Sequence, residues 1–176
     1  QRSELDWFYG GGAGVFFPDL WRQFSHAVPG DERGDLIAAY HRRLFSGDHA
    51  QEVRFGRLWS AWENALASVR GDGIGADSPP DYARAFARLE NHYFRNDCFF
   101  AHDGWILANR HRIEHLGAVI VQGRHDMICP PVSAWQLADG WRRAQLRMVP
   151  AAGHALSEPG ISAGLVRAMD ALRGQF

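Results

Sequence analysis

From Gly117 onward the chain reads as strand, helix, strand, helix, and that order admits few architectures. Ala118-Val119-Ile120-Val121 is a short β-branched run bounded by glycines, the texture of a buried parallel strand. A loop follows from Gly123 to Pro131. Val132 to Trp141 then reads as a helix, Gln145 to Val149 as a second strand, Pro150 to Pro159 as a loop, and Ile161 to Leu172 as a closing helix. A βαβα order predicts a parallel sheet covered by helices. Two strands cannot complete such a sheet, because its faces must be covered and its outer strands would expose unpaired backbone groups. Further strands are expected from outside these residues.

The earlier part of the chain has a different texture. After the loop Gly10-Gly11-Gly12-Ala13-Gly14, apolar residues recur at three- and four-residue spacing. The spacing predicts helices from Phe17 to Val28, opened by Pro18, from Glu32 to Phe45, from Gln51 to Val69 and from Asp81 to Phe94. Pro29-Gly30, Ser46-Gly47 and the stretch Gly71 to Pro80 separate them. The fold class expected is α/β, with residues 1–114 a mostly helical region over the sheet as a cap and residues 115–176 the C-terminal βαβα part of the core.

Composition narrows the function classes. The 176 residues carry a formal net charge of -1, with 46% hydrophobic and 22% charged residues, the balance of an ordinary globular protein. All 19 basic residues are arginines and they form no run, so no nucleic acid is expected as a partner. Cys98 and Cys129 form no CxxC pair and read as free thiols. No stretch approaches the roughly 20 apolar residues that cross a bilayer, and no start resembles a signal peptide. No membrane partner is expected, and a cytoplasmic location is the default.

In open α/β sheets the reactive side chains stand in loops just past the carboxyl ends of the strands. The first such loop carries Gly123-Arg124-His125-Asp126 and the second Gly153-His154. A carboxylate on one strand end and an imidazole on its neighbour can meet, Asp126 fixing the tautomer of His154 and stabilising its imidazolium. Each residue alone has an ordinary reading, as a turn former or a loop cap; jointly their order and spacing favour chemistry. Acid before base matches the chain order of α/β-hydrolase triads, which places a serine upstream on a Gly-x-Ser-x-Gly elbow. No such elbow is read in these residues, so the triad is incomplete.

Two further signals need weighing. Glu63 and Glu90 lie on apolar helix faces, Glu63 between Trp59 and Leu66, Glu90 among Phe86, Tyr93 and Phe94. A carboxylate in apolar surroundings costs several kcal/mol unless partnered, so each is expected to face a cation. Residue counting favours an arginine; the ammonium of a substrate is the functional alternative. His111-Arg112-Ile113-Glu114-His115 matches the pattern of inverted zinc peptidases. Its histidines would have to share a helix face, yet His115 stands two residues before the expected strand, which weighs against zinc.

With these residues in view, the chain resembles the proline iminopeptidase (prolyl aminopeptidase) family of α/β-hydrolases. The similarity runs through Trp7-Phe8-Tyr9, Phe16-Phe17-Pro18-Asp19 with Trp21, Glu32 to Leu36, Ala39 to Leu44 and Trp59-Ser60-Ala61-Trp62-Glu63. It continues in Glu90 to Phe94, Gly123 to Asp126 with Cys129-Pro130, Gly153-His154 and Ser157 to Gly160. The resemblance implies the C-terminal portion of an α/β-hydrolase fold with an all-α cap. It also implies release of N-terminal proline from peptides through a serine, with no metal or other cofactor. In that family the triad acid and base match Asp126 and His154, the glutamates holding the substrate's amino group match Glu63 and Glu90, and Cys129 matches a thiol beside the proline pocket. The partners implied are a peptide with N-terminal proline and the missing N-terminal half of the hydrolase core. Three glycines after Tyr9, where relatives carry larger polar residues, predict a looser local loop.

Overall fold

The structure, a computed structural model, describes residues 1–69 and 78–173. Of the loop expected from Gly71 to Pro80, residues 71–77 lie outside the described residues. The chain divides into two compact units, Gln1–Ala65 with Asp72–Asp103 and Leu66–Gly71 with Gly104–Phe176.

The first unit is helical: α1 (Arg2–Tyr9), α2 (Pro18–His26), α3 (Leu36–Leu44), α4 (His49–Ala67, whose last turn passes into the second unit) and α5 (Pro80–Arg95). The sequence reading omits α1, which is short and opened by a capping box between Gln1 and Glu4. It also starts α3 too early. Asp35 Oδ1 accepts from the Ala38 amide at 2.9 Å, an N-cap that sets the start at Leu36, while Gly30–Glu32 form a separate 3-10 turn. Glu32 instead accepts from Arg42 and Arg43, each at 2.6 Å.

Aromatic rings build this unit's core. Phe24 stacks on Tyr40 at 4.4 Å and Tyr9 on Trp59 at 4.5 Å, while Phe24 lies nearly parallel to Trp62. Truncating one such ring to alanine costs about 3–5 kcal/mol. Their polar ends are satisfied: the Tyr40 hydroxyl donates to the Phe24 carbonyl at 2.8 Å and the Trp62 indole to that of Phe8 at 3.2 Å. Burial pushes the Tyr40 phenol pKa well up. Glu52, 2% exposed, accepts from Arg84 at 2.6 Å and Arg88 at 2.9 Å and so ties α4 to α5. The glycine loop after Tyr9 is not slack. A Cβ on Gly12 would sit 2.7 Å from the Trp7 ring and one on Gly14 2.5 Å from Trp21, so larger residues are excluded by packing.

The second unit contains α6 (Trp105–Ala108), β1 (Ala118–Gly123), α7 (Pro131–Ala138), β2 (Ala144–Val149) and α8 (Pro159–Arg173). The strands are parallel, with Ala118 opposite Ala144 and Gly123 opposite Val149, and both α7 and α8 pack on them. Both strands stay largely half-buried. α7 stops at Ala138, short of the expected Trp141, because Asp139 is extended and Gly140 takes a φ of +76°. His111 lies in a 3-10 turn, Arg110–Arg112, which ends before His115, so the two histidines share no helix face. Among the described residues no helix is long and apolar enough to cross a membrane.

Candidate active site

Asp126 and His154 meet because the loops after β1 and β2 touch through their backbones. A Cβ on Gly123 would lie 2.0 Å from the Gly153 carbonyl oxygen, so only glycine permits the approach. Hydrogen bonds fasten it: the Arg124 amide donates to the Val149 carbonyl and the His125 amide to that of Ala152, both at 2.9 Å.

Asp126 is 6% exposed and each of its oxygens is committed. Oδ1 accepts from the amides of Ile128 at 3.0 Å and Cys129 at 2.8 Å. Oδ2 accepts from Gln122 Nε2 at 3.1 Å and from His154 Nδ1 at 3.0 Å. The carboxylate is thus oriented by its own loop before it meets the imidazole. The hydrogen bond to Asp126, then one to the Cys129 side chain, raises the His154 pKa from the usual 6.5 to about 10, against the opposing pull of partial burial. An imidazole so placed is stabilised strongly once it has taken up a proton, and with Nδ1 engaged, Nε2 is the nitrogen left for proton transfer.

The histidine loop is clamped from behind. Ala67 O accepts from the amides of His154 at 2.9 Å and Ala155 at 2.8 Å. Glu158, 6% exposed, accepts on Oε1 from the amides of Val69 at 2.8 Å and Gly153 at 3.3 Å. Neither Gln122 nor Glu158 is foreseen as part of the site from sequence. The signals were present: a polar residue ending an apolar strand, and an acid directly before the proline that opens a helix.

The letters Gly-x-Ser-x-Gly do occur in the chain, at Gly160-Ile161-Ser162-Ala163-Gly164, contrary to the sequence reading. They form no elbow. All five lie in α8, downstream of His154, and the Ser162 amide donates to the Glu158 carbonyl at 2.9 Å in an ordinary helical turn. Their glycines serve packing: a Cβ on Gly160 would meet Val149 Cγ1 at 2.5 Å and one on Gly164 would meet Val121 Cγ1 at 3.0 Å. A nucleophile elbow is a strand-to-helix turn, which this is not.

Asp126, His154 and Cys129 come together in the second unit, whereas Glu63 and Glu90 belong to the helical one. Glu63, 8% exposed, accepts from the Tyr9 hydroxyl, and Glu90 from the Trp59 indole at 2.8 Å.

These features define a class: a mixed α/β fold, mostly helical with a small parallel sheet, compatible with the C-terminal portion of an α/β-hydrolase and its helical cap. No protein-family model matches the chain. Several curated proteins named proline iminopeptidase do match it. Proline iminopeptidase of Xanthomonas citri is 45% identical over 172 residues, 97% of this chain and 55% of its own. That of Arabidopsis thaliana is 43% identical over 176 residues, 98% of this chain and 46% of its own. That of Xylella fastidiosa is 44% identical over 172 residues, 97% and 55% of the two chains. Over nearly its whole length this chain is therefore a homologue of proline iminopeptidases, and it spans about half the length of the curated relatives it matches.

Proposed function

We propose that the intact protein is a serine-type aminopeptidase that releases proline from peptide N-termini, with Asp126 and His154 as the acid and base of its triad. The observation that carries this reading is the 3.0 Å hydrogen bond from His154 Nδ1 to buried Asp126 at the ends of adjacent parallel strands. The names of the relatives supply the substrate class. In this mechanism the neutral form of His154 takes at Nε2 the proton of a serine hydroxyl supplied by the rest of the protein as the serine oxygen attacks the prolyl carbonyl. The C–N bond then breaks, His154 returns the proton to the leaving amine, and water activated by the same imidazole releases proline. Glu63 and Glu90 pair with the substrate's ammonium, and Cys129 lines the proline pocket. Residues 1–114 form the cap and residues 115–176 the C-terminal part of the core, whose half-buried strands agree with further strands from the remaining half.

The test is hydrolysis of prolyl-naphthylamide by the full-length protein and its Asp126→Asn, His154→Ala and Glu90→Gln variants. Turnover near wild type in His154→Ala would sink the mechanism. Replacing proline by alanine in the substrate separates a proline-specific enzyme from a capped hydrolase of other amides or esters. A second reading concerns the chain by itself. With Ser162 inside a helix, these residues alone form a non-catalytic fragment. Incubation with a fluorophosphonate followed by intact-mass measurement is expected to give no adduct, and a stoichiometric adduct would contradict this.

A further inference from the structure

Gln122 is the half-buried residue of β1 just before the glycine at which the two loops touch. Side chains alternate along a strand, and Val121 lies against α8, where a Cβ on Gly164 would meet its Cγ1 at 3.0 Å. Gln122 therefore stands on the other face, and it reaches the loop of the triad acid. Its Nε2 has three oxygens around it: Asp126 Oδ2 at 3.1 Å and the carbonyls of Gly123 and Cys129, each at 3.2 Å. Acceptors on every side fix the orientation of the carboxamide, because the reversed amide would set its own oxygen against all of them. One side chain of the strand thus closes on residues 123, 126 and 129 of the turn.

The oxygen it shares gives this contact a consequence. Asp126 Oδ2 also accepts from His154 Nδ1 at 3.0 Å, so carboxamide and imidazole meet on the same atom. The carboxamide is a neutral donor. Its N–H dipole puts partial positive charge beside the oxygen that attracts the imidazolium, so the protonated histidine is held less tightly for its presence. The titratable groups acting on the ring are Asp126 and the thiol of Cys129. Arg124 and His125 of the acid loop are exposed, and Glu158 of the histidine loop accepts from the Val69 and Gly153 amides.

We infer that Gln122 is a positioning residue of the triad: it holds Asp126 Oδ2 toward His154 and, by sharing that oxygen, limits how firmly the acid retains the protonated base. This rests on the roles proposed above for Asp126 and His154. Gln122→Met keeps the length of the side chain and removes the donor. The Ile128 and Cys129 amides on Oδ1 keep the carboxylate in place when that donor is gone.

The experiment uses the full-length protein with prolyl-naphthylamide and reads the pH profile of kcat/KM together with the His154 pKa by NMR titration. Gln122→Met is expected to move the acid limb and the pKa upward together by about one pH unit, since a hydrogen bond to a charged group is lost. A residue that only props the loop would lower the plateau and leave the limb where it is; that result overturns the inference, as does a downward shift. In an Asp126→Asn background the same substitution should move the His154 pKa far less. An undiminished shift there means that the effect does not pass through the acid, and it too overturns the inference. Should Gln122→Met fail to fold, the wild-type protein decides: the Gln122 Nε2 protons should shift with pH in step with the His154 ring, and protons that do not follow it refute the shared oxygen. His154→Ala separates the two levels. Activity lost in His154→Ala with an unmoved limb in Gln122→Met sinks the inference alone, whereas activity kept in His154→Ala sinks the triad reading with it.

Discussion

The two units hold their carboxylates in opposite ways. Asp126 is fixed by its own loop, through the amides two and three residues further along the chain. Glu63 and Glu90 are fixed by side chains 54 and 31 residues away, across packed helices. A loop-held carboxylate keeps its direction as long as a few consecutive residues keep their turn. A carboxylate held by aromatic donors depends on the packing of the whole helical unit. The first arrangement presents one oxygen to an imidazole; the second ties α1 to α4 and α4 to α5.

The largest effect is expected from Asp126→Asn. In the full-length protein kcat should fall about 10⁴-fold, because the amide oxygen can still accept from the loop amides while the imidazole loses its anion. The same change should bring the His154 pKa, about 10 in the folded chain, back toward 6.5, read by NMR titration. Since the folded value is the higher one, His154 contributes stability in full below about 6.5 and loses it as pH rises through about 10. The melting-temperature gap between wild type and Asp126→Asn should accordingly narrow toward and above pH 10. An unshifted pKa would show that the loop, not the carboxylate, governs the imidazole.

Gly123→Ala comes next. Its Cβ would have to displace the Gly153 carbonyl, and the chain should lose about 3 kcal/mol or more in denaturant unfolding. Glu158→Ala leaves the amides of Gly153 and Val69 without their acceptor and is expected to cost about 2 kcal/mol, with faster hydrogen exchange at those two amides. Little change there would mean that the Ala67 carbonyl alone sets the histidine loop. The smallest effect belongs to the helical unit: Tyr40→Phe removes one hydrogen bond from a core that keeps its ring, and about 1 kcal/mol is expected.

The same contrast explains what could be read from sequence. Both strands, most of the longer helices and the Asp126–His154 pair were legible, because β-branched runs, amphipathic spacing and loop chemistry are written in short windows. The boundaries that slipped were set by single residues, such as the Asp35 cap and Gly140, and α1 is too short to show a period. The partners of Glu63 and Glu90 were not legible. Trp59 is the neighbour of Glu63 one turn away on α4, but nothing in the spacing says that its indole reaches α5, or that Tyr9 comes to lie against it. The Gly-x-Ser-x-Gly letters of α8 show the converse: a pattern can be present while the strand-to-helix turn it names is not.

That stretch of α8 also offers a practical handle. Ser162 is exposed, while a Cβ on the glycine two residues to either side would press on a strand valine, 2.5 Å from Val149 Cγ1 and 3.0 Å from Val121 Cγ1. A thiol introduced there would point outward from a helix that cannot easily shift on its sheet. A fluorophore or spin label attached through Ser162→Cys would report on the histidine-bearing unit with little motion of its own anchor.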